Sequence, residues 1–213
     1  MAIILAIDTA SPSPAIALAA GSEVFEEVLA SDRRASEELL PAIARVLAKA
    51  ARRLSDCERL AVCSGPGSFT GVRIGLATAW GLSRALGVPI ESLSTLEAMA
   101  EGARNGRVTA VLAALDAGRG EASAALYDLR ADRAREVDPP RRLPYGDVRA
   151  AAPDALLVVL PAGLLPGAEP PRVSPAHALA LAVARSPRES AETLSPIYSR
   201  LSSAEEKHGP APH

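Results

Sequence analysis

Two kinds of apolar pattern alternate along this chain. Ile3 to Ile7 is an unbroken apolar run closed by Asp8-Thr9, which predicts a strand buried on both faces. The turn residues Ser11-Pro12-Ser13-Pro14 follow, then apolar Ala15 to Ala19, then Gly21-Ser22 and Val24 to Leu29. That order predicts a three-stranded antiparallel meander. The period then changes. Leu39, Ile43, Val46, Leu47, Ala50 and Leu54 recur at helical spacing, with Arg45, Lys49, Arg52 and Arg53 on other faces. Pro41 lacks an N–H, so it must sit near the first turn or kink this helix.

Leu60 to Cys63 reads as the next strand and runs into Ser64-Gly65-Pro66-Gly67-Ser68-Phe69-Thr70-Gly71-Val72-Arg73-Ile74-Gly75. Residues Ile74 to Leu86 are apolar or small at nearly every position, so the order is strand, glycine loop, helix. Gly71, Gly75 and Ala79 make a smooth ridge at four-residue spacing, and Gly87 and Pro89 end the helix. Val88 to Leu93 predicts a further strand. Ser94-Thr95-Leu96-Glu97 has the form of a capping box.

The second half echoes the first. Val111-Leu112-Ala113-Ala114-Leu115-Asp116 repeats the pattern of Ile3 to Asp8, and an apolar strand follows each copy after a polar turn. Two copies of strand–Asp–turn–strand point to duplication of one α/β unit. Arg130 to Arg149, rich in charge and proline, reads as loop, and Leu156 to Leu160 as strand. Ser174-Pro175 caps an apolar helix over Ala176 to Ala184. The tail, Ser202 to His213, reads as frayed. The expected division is a first lobe over 1–105, a second, reduced lobe over 106–200 and a tail over 201–213.

Composition narrows the function. At 213 residues with 48% hydrophobic and 3% aromatic residues, the chain has an aliphatic core of one large or two small domains. A net charge of −2 argues against gripping nucleic acid alone. Cys57 and Cys63 form neither a disulfide scaffold nor a metal pattern, which fits reduced thiols. The first residues lack a basic stretch, and no apolar run is long enough to span a membrane. The expectation is a cytoplasmic protein.

Candidate chemistry is thin. The glycine loop and following helix start can hold an anion or allow close packing. It lacks the lysine of a Walker loop, and Gly71 comes one place late for a dinucleotide loop. Asp8, at a strand end, either orients a bound metal or water or caps its own turn. Asp116 has the same two readings, with Arg119 and Glu121 beside it as ion-pair candidates. His177, His208 and His213 form no metal motif, and no nucleophile elbow surrounds Ser64, Ser68 or Thr70.

The loop from Gly65 to Gly75 resembles the signature of the TsaB (YeaZ) family, bacterial partner proteins in threonylcarbamoyladenosine modification of tRNA. Ile4 to Ala10, Ser36 to Pro41, Ser94 to Leu96, Asp116 to Glu121 and Pro196 to Arg200 are similar to other family stretches. The likeness spans almost the full chain, specific over 1–121 and loose over 130–190. Two departures stand out: Ala35 where the family often has histidine, and a short, proline-broken second half.

The resemblance implies an actin- and Hsp70-like α/β (ASKHA) fold of two ribonuclease-H-like lobes with mixed sheets. It implies a non-catalytic partner of the transferase subunit TsaD, working with the ATPase subunit TsaE on adenosine 37 of tRNAs reading ANN codons. Such a chain touches tRNA only through the complex and pairs with itself when alone. The expected partner interface is Leu39, Ile43, Val46, Gly71, Arg73, Gly75 and Ala79. Asp8, Thr9, Gly65, Gly67 and Ser68 are candidate contacts for weakly bound ATP or ADP at a subunit boundary. No metal and no other cofactor is expected. The competing reading is an actin-like nucleotide hydrolase or kinase using Asp8, Asp116 and the glycine loop, with a metallopeptidase third.

Overall fold

The computed structural model describes residues 2–29, 35–189 and 194–198; the tail at 201–213 lies outside them. The N-terminal meander forms as expected. Strands β1 (Ile4–Asp8), β2 (Ala15–Ala20) and β3 (Glu23–Val28) pair antiparallel in sequence order. Strands β4 (Arg59–Cys63) and β5 (Ile90–Leu93) add in parallel on the other side of β1. The sheet order is β3-β2-β1-β4-β5. Every residue of β1 is buried, which is why its sequence runs apolar rather than alternating.

The second sheet repeats this plan. Strands β6 (Ala110–Gly118), β7 (Glu121–Asp128) and β8 (Arg135–Pro144) form an antiparallel meander, and β9 (Leu156–Leu160) joins β6 in parallel. The order β8-β7-β6-β9 matches β3-β2-β1-β4, as a duplication requires. One expectation fails here: the stretch from Arg130 to Arg149 is not loop but holds β8 and helix α4 (Tyr145–Ala151). Residues Arg135 to Arg142 of this edge strand are all exposed, so no apolar alternation marks them. Pro139 and Pro140 fall together opposite Ala125, where the register slips. An edge bulge tolerates prolines that a central strand would reject.

Helix α1 (Ala35–Lys49) begins before Leu39 and ends before Leu54, with Pro41 inside it. Leu54 instead opens a short 3₁₀ turn over Leu54–Asp56. In α2 (Phe69–Leu86), Ser68 Oγ accepts the Gly71 N–H, and Gly87 closes the helix at φ 67°. Ser94 caps α3 (Thr95–Gly102) by accepting the Leu96 N–H, while Glu97 turns away to Arg188. Ser174 caps α5 (Pro175–Arg185), with proline in the first turn as expected.

The result is five layers. Helices α1 and α2 lie side by side on one face of the first sheet, and α5 covers the other face, packing on β1, β2 and β4. Helix α3 packs on both α5 and the second sheet, and α4 closes the outer face of that sheet. The two sheets thus use residues 4–93 and 110–160, but α5 returns from the second half to complete the first core.

Candidate functional site

The glycine loop is filled by the chain's own backbone. A Cβ at Gly65 would run into the Ile197 carbonyl, one at Gly67 into the Ala10 carbonyl, and one at Gly71 into the Thr9 carbonyl. Gly75 would meet Thr9 Oγ1. Hydrogen bonds fix these approaches: Ser68 N–H donates to Ala10 O at 2.8 Å, Thr9 Oγ1 to Gly71 O at 2.6 Å, and Ile197 N–H to Ser64 O at 2.7 Å. The small residues therefore serve close packing of β1, α2 and a returning C-terminal segment.

Asp8 is fully buried. Its Oδ1 accepts the N–H groups of Ala10 at 2.9 Å and Ser11 at 3.1 Å, while Oδ2 has no hydrogen-bond partner among the described residues. Burial pushes this carboxyl above the usual carboxylate range, against hydrogen bonds that lower it. Burial also holds the neighbouring Cys63 thiol well above its ordinary value. Of the two readings of Asp8, the turn cap is the geometry present. Asp116 caps its own turn too, accepting Gly118 N–H at 2.6 Å and the Tyr145 hydroxyl at 2.7 Å; among the described residues it makes no ion pair with Arg119.

These two turns face each other across a cavity of about 130 Å³ lined by Ala10, Ser11, Pro12, Gly67, Ser68, Leu115 and Asp116. Among the described residues no group of three or more His, Cys, Asp or Glu is placed to hold a metal ion; His208 and His213 lie outside them. No described helix is long and apolar enough to cross a membrane.

The expected partner residues need reorienting. Leu39, Ile43, Val46, Gly71, Gly75 and Ala79 are all buried in the chain's own core. The ridge faces Thr9 and Val62, not solvent, because the tight crossing of α2 over β1 consumes it. Of the seven, only Arg73 is exposed. The outward faces carry different residues: Ala77 and Gly81 follow Arg73 along α2, and Leu40, Pro41, Ala44 and Ala48 lie along α1. Leu40 is 60% exposed. Their spacing was visible in the sequence, but two small-residue lines on one helix look alike until β1 takes one.

Sequence reasoning also missed two assemblies. Phe69, Arg73 and Tyr198 stack where the C-terminal segment meets α2; Pro196 to Arg200 was the signal, without its place. Between the lobes, Arg133 pairs with Glu91 at 2.9 Å, Arg188 with Glu97 at 2.9 Å and Arg185 with Glu101 at 3.1 Å, and the nearby Arg104 also pairs with Glu101 at 2.9 Å. Burial pushes Glu97 up. Burial would raise Glu101 as well, but hydrogen bonds from Arg104, the Ala134 N–H and Arg185 hold it below the usual range.

The family model described as TsaD, tRNA N6-adenosine threonylcarbamoyltransferase, matches residues 24–142. The chain is 42% identical over 125 residues to the tRNA threonylcarbamoyladenosine biosynthesis protein TsaB of Escherichia coli (strain K12), covering 58% of this chain and 54% of that one. It is 32% identical over 147 residues to TsaB of Bacillus subtilis (strain 168), covering 68% and 63%. The matched stretch thus spans between half and two thirds of these curated relatives. The structure of YeaZ from Pseudomonas aeruginosa superposes with a TM-score of 0.77 at 28% identity, covering 93% of this chain and all of that one. With an actin- and Hsp70-like α/β fold, this family match and these relatives, the chain belongs to the TsaB (YeaZ) family of threonylcarbamoyltransferase-related proteins.

Proposed function

We propose that this chain is a non-catalytic partner of the threonylcarbamoyl transferase subunit TsaD, acting with the ATPase subunit TsaE in the cytoplasm. The reaction served is threonylcarbamoylation of adenosine 37 in tRNAs reading ANN codons, and tRNA is met only through the complex. The observation that carries this reading is the outward face of α1 and α2, where Leu40, Ala44, Ala48, Ala77 and Gly81 stand in solvent. Small residues on two adjacent helices admit partner helices at close range. A homodimer through the same face forms when the partner is absent. ATP or ADP, where it enters, sits at the boundary with another subunit rather than in the packed glycine loop. The capping duties of Asp8 and Asp116 support a partner over a hydrolase.

The test is reconstitution. The transferase and ATPase subunits, threonylcarbamoyl donor and substrate tRNA are combined with and without this chain. Modified adenosine should form at a useful rate only when the chain is present, and the chain alone should not turn over ATP. ATP hydrolysis by the isolated chain, with no effect on tRNA modification, would move the hydrolase reading to the front.

A further inference from the structure

We propose that Arg73 is the charged anchor of the partner surface, held ready by the C-terminal segment to take a carboxylate of the partner protein. The inference rests on the partner reading above. The guanidinium carbon of Arg73 lies 3.9 Å from the centre of the Phe69 ring and 6.0 Å from that of Tyr198. The two rings are 4.9 Å apart and tilted by 34°. Arg73 Nε donates to Tyr198 Oη at 3.1 Å. Tyr198 is itself placed by the chain: Ile197 N–H bonds the Ser64 carbonyl, and the Ile197 carbonyl fits where Gly65 has no side chain.

This arrangement fixes a flexible side chain before any partner arrives. One face of the guanidinium rests on aromatic carbon, and Nε is engaged. Nη1 and Nη2 have no hydrogen-bond or ion-pair partner among the described residues, and Arg73 is exposed. A planar fork with two free donor groups matches a carboxylate, and holding it in place lowers the ordering cost of binding.

The surroundings favour a protein over an RNA phosphate. Arg73, Ala77 and Gly81 lie in line at four-residue spacing, so the arginine heads the strip on which a helix can rest. A nucleic-acid backbone calls for several uncompensated cations. On neighbouring α1, Arg45 and Lys49 are already paired with Glu27, and Arg45 also with Glu38. On α2 the other cation, Arg84, lies beside the Trp80 ring.

Calorimetric titration of the full chain with the transferase subunit, at low and at raised salt, tests this. Arg73→Met should weaken binding about ten- to hundredfold with an unchanged melting temperature, and should flatten the salt dependence. Arg73→Lys should not restore affinity. Tyr198→Phe, which keeps the ring and loses the hydrogen bond, should fall between wild type and Tyr198→Ala. The loss from Tyr198→Ala should vanish in an Arg73→Met background, since it acts through the arginine. Unchanged affinity of Arg73→Met, alongside lost binding for Gly81→Arg, overturns the anchor and leaves the partner reading standing. No binding by the wild-type chain overturns the partner reading itself. Weakened tRNA retention by the complex, with protein affinity unchanged in Arg73→Met, overturns the carboxylate in favour of phosphate. Wild-type affinity in Tyr198→Ala overturns the role of the C-terminal segment.

Discussion

At the scale of single residues, Asp8 holds the turn that follows its own strand. Its Oδ1 holds two turn N–H groups, and the carboxyl is sealed between the β1 end and Cys63. Asn at this position keeps an oxygen for both donors, whereas Ala leaves them unsatisfied. Asp8→Ala should cost about 1–3 kcal/mol. The pH dependence has a definite sign. Because burial raises the folded-state value, the folded chain binds the proton more tightly than the unfolded one. The stability this contributes is full below about pH 4 and falls as pH rises through the raised value. Asp8→Asn removes that loss, so its stability relative to wild type should increase between pH 4 and 8 in urea melts. A difference that is constant or shrinks with pH would contradict the burial argument. The sequence left both readings of Asp8 open, since a carboxylate at a strand end looks the same whether its own turn or a ligand occupies it.

At the scale of elements, α2 is the informative case. Its existence and its Gly87 end were legible, because periodicity and terminators are local, but it starts at Phe69, inside the stretch that reads as glycine loop. Its orientation was not legible. Gly71-Gly75-Ala79 and Ala77-Gly81 are both small-residue lines, and only the crossing with β1 decides which is buried. The same substitution should therefore have opposite effects at two glycines of one helix, Gly75 and Gly81. Gly75→Ala drives a methyl group at Thr9 Oγ1 and should destabilise by about 1–3 kcal/mol. Gly81→Ala, with open space around it, should stabilise by about 0.5–1 kcal/mol through helix propensity. Thermal melts of the two variants check this, and equal signs would mean the helix is turned otherwise. Strand β8 was illegible for a different reason. It is an exposed edge with two prolines at a bulge, so neither apolar alternation nor β propensity marks it.

At the scale of the molecule, the repeat of strand, aspartate, turn and strand was enough to foresee two like lobes, and the two sheets share one order. What the sequence hid is how the lobes are joined. Helix α5 leaves the second half to cover the first sheet, and Glu91, Glu97 and Glu101 meet Arg133, Arg188 and Arg185 from distant parts of the chain. Pairings across 42 to 97 residues have no local signature. The proposed function rests on the outer face that α1 and α2 present to solvent. The central claim concerns that presented face. The most direct measurement is light-scattering mass on a sizing column, for this chain alone and mixed with the transferase subunit, with Gly81→Arg as the companion variant. A homodimer that exchanges into a mixed complex, and a folded Gly81→Arg chain that forms neither, is the result this account predicts. Separate elution of the two wild-type proteins across concentration, or a mixed complex undisturbed by Gly81→Arg, would contradict it.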